Sequence, residues 1–222
     1  MSRTLAVLRP EPGNAATAAR ATAAGYAVLR LPLFAVVPLD WPLPDAREHD
    51  ALVLTSANTV RAAGAALASL ATLPVIAVGE QTAIAARAAG LSVAATGSSD
   101  ATALAALLAT RGISHALHLG GRERTPVDGV TRAIAVYASE PRAVAHADLA
   151  GLAGSVALLH SARAATRLGM LLDSAEMPRA HVAIGAFSAA IATAAGSGWR
   201  AVVVAAAPSD AALFAAIDAL GR

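Results

Sequence analysis

The sequence predicts an α/β chain made of two parallel-sheet domains joined by a two-stranded β-ladder. Three observations lead there. Short apolar runs alternate with alanine-rich helical segments along all 222 residues. Three blocks recur in the same order about a hundred residues apart. The second copy stops one strand–helix–strand unit short, and a stretch resembling the missing unit lies at the N-terminus.

The apolar runs come in order: Leu5–Leu8, Ala27–Leu31, Ala51–Leu54, Val75–Val78, Leu91–Ala95, Ala116–Leu119, Ile134–Tyr137, Val156–Leu159, Val182–Ile184 and Ala201–Ala205. Each is short, continuous and rich in Val, Ile or Leu, as central parallel strands buried on both faces require. Helix signals fill the gaps. Asn14 is placed to cap one helix and Gly25 to end it; Gly90 ends a helix starting near Gln81; Ser99 or Asp100 caps another. Such alternation predicts βαβ units with right-handed crossovers.

The repeat sets the domain organisation. "LVLTSANTV" pairs with "ALLHSARAA", "PVIAVGEQTAIAARAAGL" with "AHVAIGAFSAAIATAAGSGW", and "VAATGSSDATALAALLATRG" with "VVVAAAPSDAALFAAIDALG". This alignment puts Ser56 opposite Ser161, Gly79 opposite Gly185 and Asp100 opposite Asp210. A period this long means duplicated domains rather than a solenoid. The N-terminal "LAVLRPEPGNAATAARATAAGYAVL" matches "ALHLGGRERTPVDGVTRAIAVY". One domain is therefore expected to be continuous, over 48–132, and the other assembled from 1–32 plus 146–222. The linkers, 33–47 and 133–145, are two extended crossings that would pair as a ladder and permit hinge motion.

Composition excludes several function classes. All 17 basic residues are Arg, they form no run, the net charge is only +2 and aromatics are 3%, so no nucleic-acid surface is expected. The absence of cysteine rules out disulfides and thiolate chemistry. Two stretches without charge, Ala62–Gly79 and Val182–Trp199, have the length of a membrane span. They hold Pro74, Gly185, Gly196 and Gly198 and are dominated by small residues, so buried segments are expected instead. No signal peptide is apparent, which makes the cytoplasm the expected location.

Ligands of open parallel sheets bind beyond the carboxyl ends of the strands. Here those ends read "RPEPG", "TSAN", "VGEQT", "GGRER", "HSAR" and "GAFS", each expected to precede a helix N-terminus whose free N–H groups suit an anion. Ser, Thr and Asn there are also ordinary caps, but matching polar turns in both copies favour binding of a polyanion in an interdomain cleft. No Walker loop or dinucleotide fingerprint occurs, and "HSARAA" lacks the nucleophile-elbow pattern. His115 and His118 fall on opposite strand faces, so no metal pair is expected. Tyr137, one of two tyrosines, lies in the second crossing; it reads either as a packing aromatic or as a phenol aimed at the ligand.

The ordered set "LRPEPG", "LTSANTV", "VIAVGEQTA", "LHLGGRER", "VYASEP", "LLHSA" and "AIGAFSAA" resembles the uroporphyrinogen-III synthase family over essentially the full length. The resemblance implies two Rossmann-like domains and a substrate, hydroxymethylbilane, with eight carboxylates. It implies closure to uroporphyrinogen III by loss of water and inversion of the last ring, through an azafulvene and a spiro intermediate, with no cofactor or metal. It further implies that Tyr137 assists hydroxide departure and that Arg9, Ser56, Asn58, Gly79, Thr82, Gly120, Arg122, Ser161 and Ser188 bind substrate. The family often has paired Thr after the position of Gly185; here Phe187-Ser188 leaves one hydroxyl. The expected working form is a monomer without membrane or nucleic-acid partner. A non-catalytic two-domain sensor of a small polyanion is the alternative that the polar turns leave open.

Overall fold

The structure is a computed structural model and describes residues 3–97 and 101–220. In chain order its elements are β1 (Thr4–Val7), α1 (Gly13–Ala23), β2 (Ala27–Arg30), β3 (Phe34–Pro38), β4 (Ala51–Leu54), α2 (Ala57–Ala63), β5 (Val75–Val78), α3 (Glu80–Ala88), β6 (Val93–Gly97), α4 (Ala101–Thr110), β7 (Ala116–Gly121) and β8 (Val130–Pro141). There follow α5 (His146–Ala150), β9 (Val156–Leu159), α6 (Ala162–Ser174), β10 (Ala183–Ala186), α7 (Ala189–Ala195), β11 (Ala201–Val204) and α8 (Asp210–Ala219). The chain divides into a split unit, residues 1–35 with 141–222, and an inserted unit, residues 36–140.

The split unit is built on a five-stranded parallel sheet in the order β11-β10-β9-β1-β2. Its central strands are buried on both faces, as their unbroken apolar runs require. Helix α6 lays Ala164, Ala165, Leu168 and Leu172 on one face. Helices α1 and α8 cover the other with Ala18, Ala21, Leu213, Phe214 and Ile217.

The inserted unit carries the order β3-β8-β7-β4-β5-β6. Five of these strands run parallel. β3 joins at the edge in the opposite sense: the Leu39 N–H donates to the Val136 carbonyl and the Arg142 N–H to the Leu33 carbonyl, so one index rises as the other falls. These paired crossings form the expected ladder, and α2 and α3 pack on one sheet face. On the other face α4 supplies Leu104 and Leu108, joined by Val127 and Val130.

Four expectations need correction. Asn14 is not a cap. It sits inside α1, fully buried, where its Nδ2 donates to the carbonyls of Val7 and Arg9 while its Oδ1 accepts from Arg30 Nε. The strand expected at Leu91–Ala95 begins at Val93, because the Leu91 N–H closes the end of α3 on the Ala86 carbonyl around Gly90, whose φ is +80°.

No helix follows "GGRER". Residues 122–129 form a loop between the parallel strands β7 and β8, a link that commonly takes a dozen residues and a helix. Pro126 lacks an N–H and biases Thr125 away from helix, and Gly129 at φ +88° turns the chain into β8. The repeat also slips. Leu52 pairs with Val75 and Ala157 with Ile184, so Val75 corresponds to Ile184 and Gly79 to Ser188, three residues beyond Gly185. Gly185 lies inside β10, where an added Cβ would stand 3.0 Å from Leu213 and 3.2 Å from Ile217. Ser99 and Asp100, named as a cap and as the counterpart of Asp210, lie outside the described residues.

Candidate active site

In the inserted unit the carboxyl ends of β4, β5 and β7 open into a cavity of about 240 Å³. Among the described residues its walls include Thr55, Ser56, Val78, Leu104, His118, Gly121, Arg124 and Tyr137. The strand pattern places these groups. His118 and Gly120 share a face of β7, and a Cβ on Gly120 would lie 3.0 Å from His118 Nε2. Gly121 pairs with Tyr137, and a Cβ there would stand 3.0 to 3.1 Å from the ring and hydroxyl of the tyrosine. The two glycines thus make room for an imidazole and a phenol.

His118 is buried, and its Nε2 lies 3.1 Å from Thr55 Oγ1. Burial, helped by the positive Arg124, pushes its pKa down to about 4, so the ring is neutral at physiological pH. The sign for stability follows. Between about pH 6.5 and pH 4 the unfolded chain binds a proton at this imidazole that the folded chain refuses, so stability falls as pH falls through that window. His160 is shifted the same way, whereas Asp210, whose pKa is depressed, loses its contribution only at lower pH. Melting temperatures measured from pH 7 to pH 4 should decline, and His118→Gln should flatten part of the decline. An identical slope in the variant would remove His118 as its source.

Two arginines of the β7–β8 loop differ sharply. Arg122 is neutralised, with Nη2 2.7 Å from Glu140 Oε1 and Nε 3.3 Å from Glu123 Oε1. Arg124 donates instead to backbone carbonyls, at 3.0 Å to Gly121, 3.5 Å to Arg122 and 3.0 Å to Ala133. Among the described residues no carboxylate pairs with it.

The split unit offers a different arrangement at its strand ends. Asp210, the first residue of α8, is buried and accepts from Thr17 Oγ1 at 2.8 Å, from Arg20 Nε at 2.8 Å and from Arg20 Nη2. Its other oxygen lies 3.2 Å from His160 Nε2. Burial alone would raise this carboxyl, but the hydrogen bonds from His160, Arg20 and Thr17 hold it well below the usual carboxylate range. Arg9 folds over Gly13 at the start of α1, where a Cβ would meet its Nε at 2.6 Å, and reaches Thr17 Oγ1 at 3.4 Å. Burial lowers its pKa; Asp210 opposes that and Arg20 adds to it.

Comparison with known proteins decides the family. The uroporphyrinogen-III synthase HemD family model matches residues 15–215. The chain belongs to the uroporphyrinogen-III synthase family. The reaction is accordingly the closure of hydroxymethylbilane to uroporphyrinogen III, with inversion of the terminal ring and loss of water, in tetrapyrrole (haem) biosynthesis. A mutant uroporphyrinogen III synthase of Thermus thermophilus matches over 99% of both chains at 18% identity and a TM-score of 0.57. The Helicobacter pylori uroporphyrinogen-III synthetase matches over 99% of this chain and 100% of its own at 16% identity and a TM-score of 0.66. At such identities the likeness concerns the fold, here two α/β domains. A search of curated proteins finds no match. Nothing found favours the non-catalytic sensor.

Within this synthase six of the residues singled out from the sequence closely follow strand carboxyl ends, three in each unit. In the split unit Arg9, Ser161 and Ser188 follow the adjacent strands β1, β9 and β10. In the inserted unit Ser56 follows β4, Gly79 follows β5 and Arg122 follows β7, and Tyr137 lines the same cavity as Ser56. The serines are N-caps: their Oγ atoms accept from the N–H of Asn58, Ala164 and Ile191. Each cap uses the oxygen as acceptor and leaves the O–H proton available. Asn58 Oδ1 accepts from Arg61 Nη2 at 2.6 Å. Gly79 is exposed at φ +80° ahead of α3. Thr82 and Gly120 are buried, Thr82 on the inner face of α3 and Gly120 inside β7. Thr55, His118 and Arg124 were missed from the sequence. The hint in "LHLGGRER" was a buried imidazole two residues from a glycine. Among the described residues no group of His, Asp or Glu could hold a metal, and no helix is long and apolar enough to cross a membrane.

Proposed function

We propose that the synthase acts as a hydro-lyase in which Tyr137 gives its phenolic proton to the leaving hydroxyl of hydroxymethylbilane. The C–O bond breaks with electrons supplied by the pyrrole nitrogen, water departs, and the azafulvene left behind is attacked within the same chain to give the spiro intermediate. The bond from the spiro carbon to the neighbouring ring's methylene then breaks and re-forms at the last ring's free α-carbon, which inverts that ring, and the proton lost from this α-carbon as the ring regains aromaticity restores the phenol. The observation that carries this role is the Tyr137 hydroxyl lying over Gly121 on the wall of the inserted unit's cavity. A substrate this reactive needs a fixed conformation more than a strong acid. Carboxylate-binding roles are proposed for the O–H groups of Ser56, Ser161 and Ser188, the Asn58 amide, the backbone at Gly79 and Gly120, and Arg9 and Arg122. Thr82 is the weakest member, since its buried hydroxyl would have to act on α3's first turn.

The proposal extends to a monomer working in the cytoplasm on this small molecule alone, without nucleic acid or cofactor. Incubation with fresh hydroxymethylbilane, oxidation and separation of isomers I and III tests the activity; isomer I alone, as in the enzyme-free control, would reject it. Tyr137→Phe should keep the fold and lower turnover at least about tenfold, the low end of a general-acid effect. Unchanged turnover would end the acid role.

A further inference from the structure

The two units let one be read against the other. In the corrected register Thr55 corresponds to His160 and Val78 to Phe187. In the split unit this position is filled. His160 bonds Asp210, Phe187 packs edge-on against His160 with centroids 4.4 Å apart, and α1 brings in Thr17 and Arg20 to complete the network. In the inserted unit the helix corresponding to α1 is absent, smaller Thr55 and Val78 stand where the split unit has His160 and Phe187, and the cavity stands there. The opening follows from one deleted helix and two size reductions. Its remaining cation, Arg124, is fixed by three carbonyls with no carboxylate partner among the described residues.

We propose that this cavity is a subsite for one carboxylate-bearing pyrrole edge of the substrate, with Arg124 as the cation that receives the carboxylate and the His118–Thr55 pair as its polar wall. The proposal rests on the function proposed above. At about 240 Å³ the cavity falls below the usual range for enclosing a drug-sized ligand, so it admits one arm of a tetrapyrrole and not the whole. Glu123 also borders the cavity, but its carboxylate is drawn to Arg122. Arg124 has five donors, and its three hydrogen bonds all go to neutral oxygens, so among the described residues no carboxylate takes its charge and donors remain for an anion. Tyr137 lines the same cavity, and a carboxylate held there would index the neighbouring ring against the phenol.

Ala101→Leu fills the cavity without touching a polar group, and Arg124→Gln removes the charge. On hydroxymethylbilane both should raise KM at least about tenfold with kcat changed less, the pattern of lost binding that is uniform between ground and transition state. Arg124→Lys should recover part of the loss. Ala101→Leu should melt at or above the wild-type temperature, which a merely structural cavity would also allow, but only a substrate subsite would couple the filling to KM. A folded Ala101→Leu with wild-type KM would overturn the subsite whatever Arg124→Gln does. If Ala101→Leu fails to fold, a wild-type KM in Arg124→Gln overturns it instead. Wild-type protein that yields only isomer I would overturn the function and the subsite together, so the two failures are distinguishable.

Discussion

Asp210→Ala should cost the split unit about 3 kcal/mol and lower the melting temperature by roughly 6–12 °C. Removing one partner of a buried charge cluster is costly because it strands the others. Here Thr17 loses its acceptor, His160 Nε2 loses the carboxylate it bonds, and Arg9 and Arg20 are left near each other without the carboxylate that separates them electrostatically. The value sits at the low end of the range for buried pairs because Arg20 keeps 55% of its side chain in water and can turn outward. Asp210→Asn keeps an acceptor and should lose less. Thermal melts of the two variants decide the matter; a shift within about 2 °C for Asp210→Ala would mean that water replaces the carboxylate without cost.

Gly121→Val should lower kcat/KM by at least about a hundredfold while leaving the chain folded. Valine suits a β-strand, and Gly121 is not among the glycines at positive φ. The difficulty is at the tyrosine: a Cβ at residue 121 already crowds the Tyr137 ring carbon and hydroxyl, and the valine methyls extend farther. The phenol must move by about an ångström, a displacement that can cost two orders of magnitude when a reacting group is misplaced. Tyr137→Phe on the valine background should then add little, because the valine has already removed the phenol from its place. Strict additivity of the two losses would show that Gly121 acts by another route.

Much of the fold was legible because strands buried on both faces write themselves as short unbroken apolar runs. Ala51–Leu54, Val75–Val78 and Val156–Leu159 are strands at those bounds. The polar turns after them were legible too, since "TSAN" and "HSAR" put a serine at each N-cap. What escaped depends on register and on absence. Gly120 and Gly121 look like a turn in the sequence, yet both lie in β7, and their smallness serves side chains on the same or the adjoining strand. The missing helix after β7 was masked by the likeness of "GGRERTPVDG" to "RPEPGNAATA"; only Pro126 and Gly129 argued against it. The pairing of Asp210 with Thr17 and Arg20 spans nearly the whole chain, and no local pattern announces it.

The order of strands in the split sheet has a consequence for biosynthesis. β1 sits between β2 and β9, and β9 lies beyond the entire inserted unit in the chain. As the polypeptide leaves the ribosome, β1 and β2 emerge first but must wait for more than a hundred residues before β9 arrives to flank them. Meanwhile every strand partner of β4 to β7 lies within the inserted stretch, so that unit can complete its sheet during the wait. Nascent chains halted before residue 156 therefore carry an unpaired apolar edge on β1, and that edge is where chaperone capture or aggregation of this protein would begin.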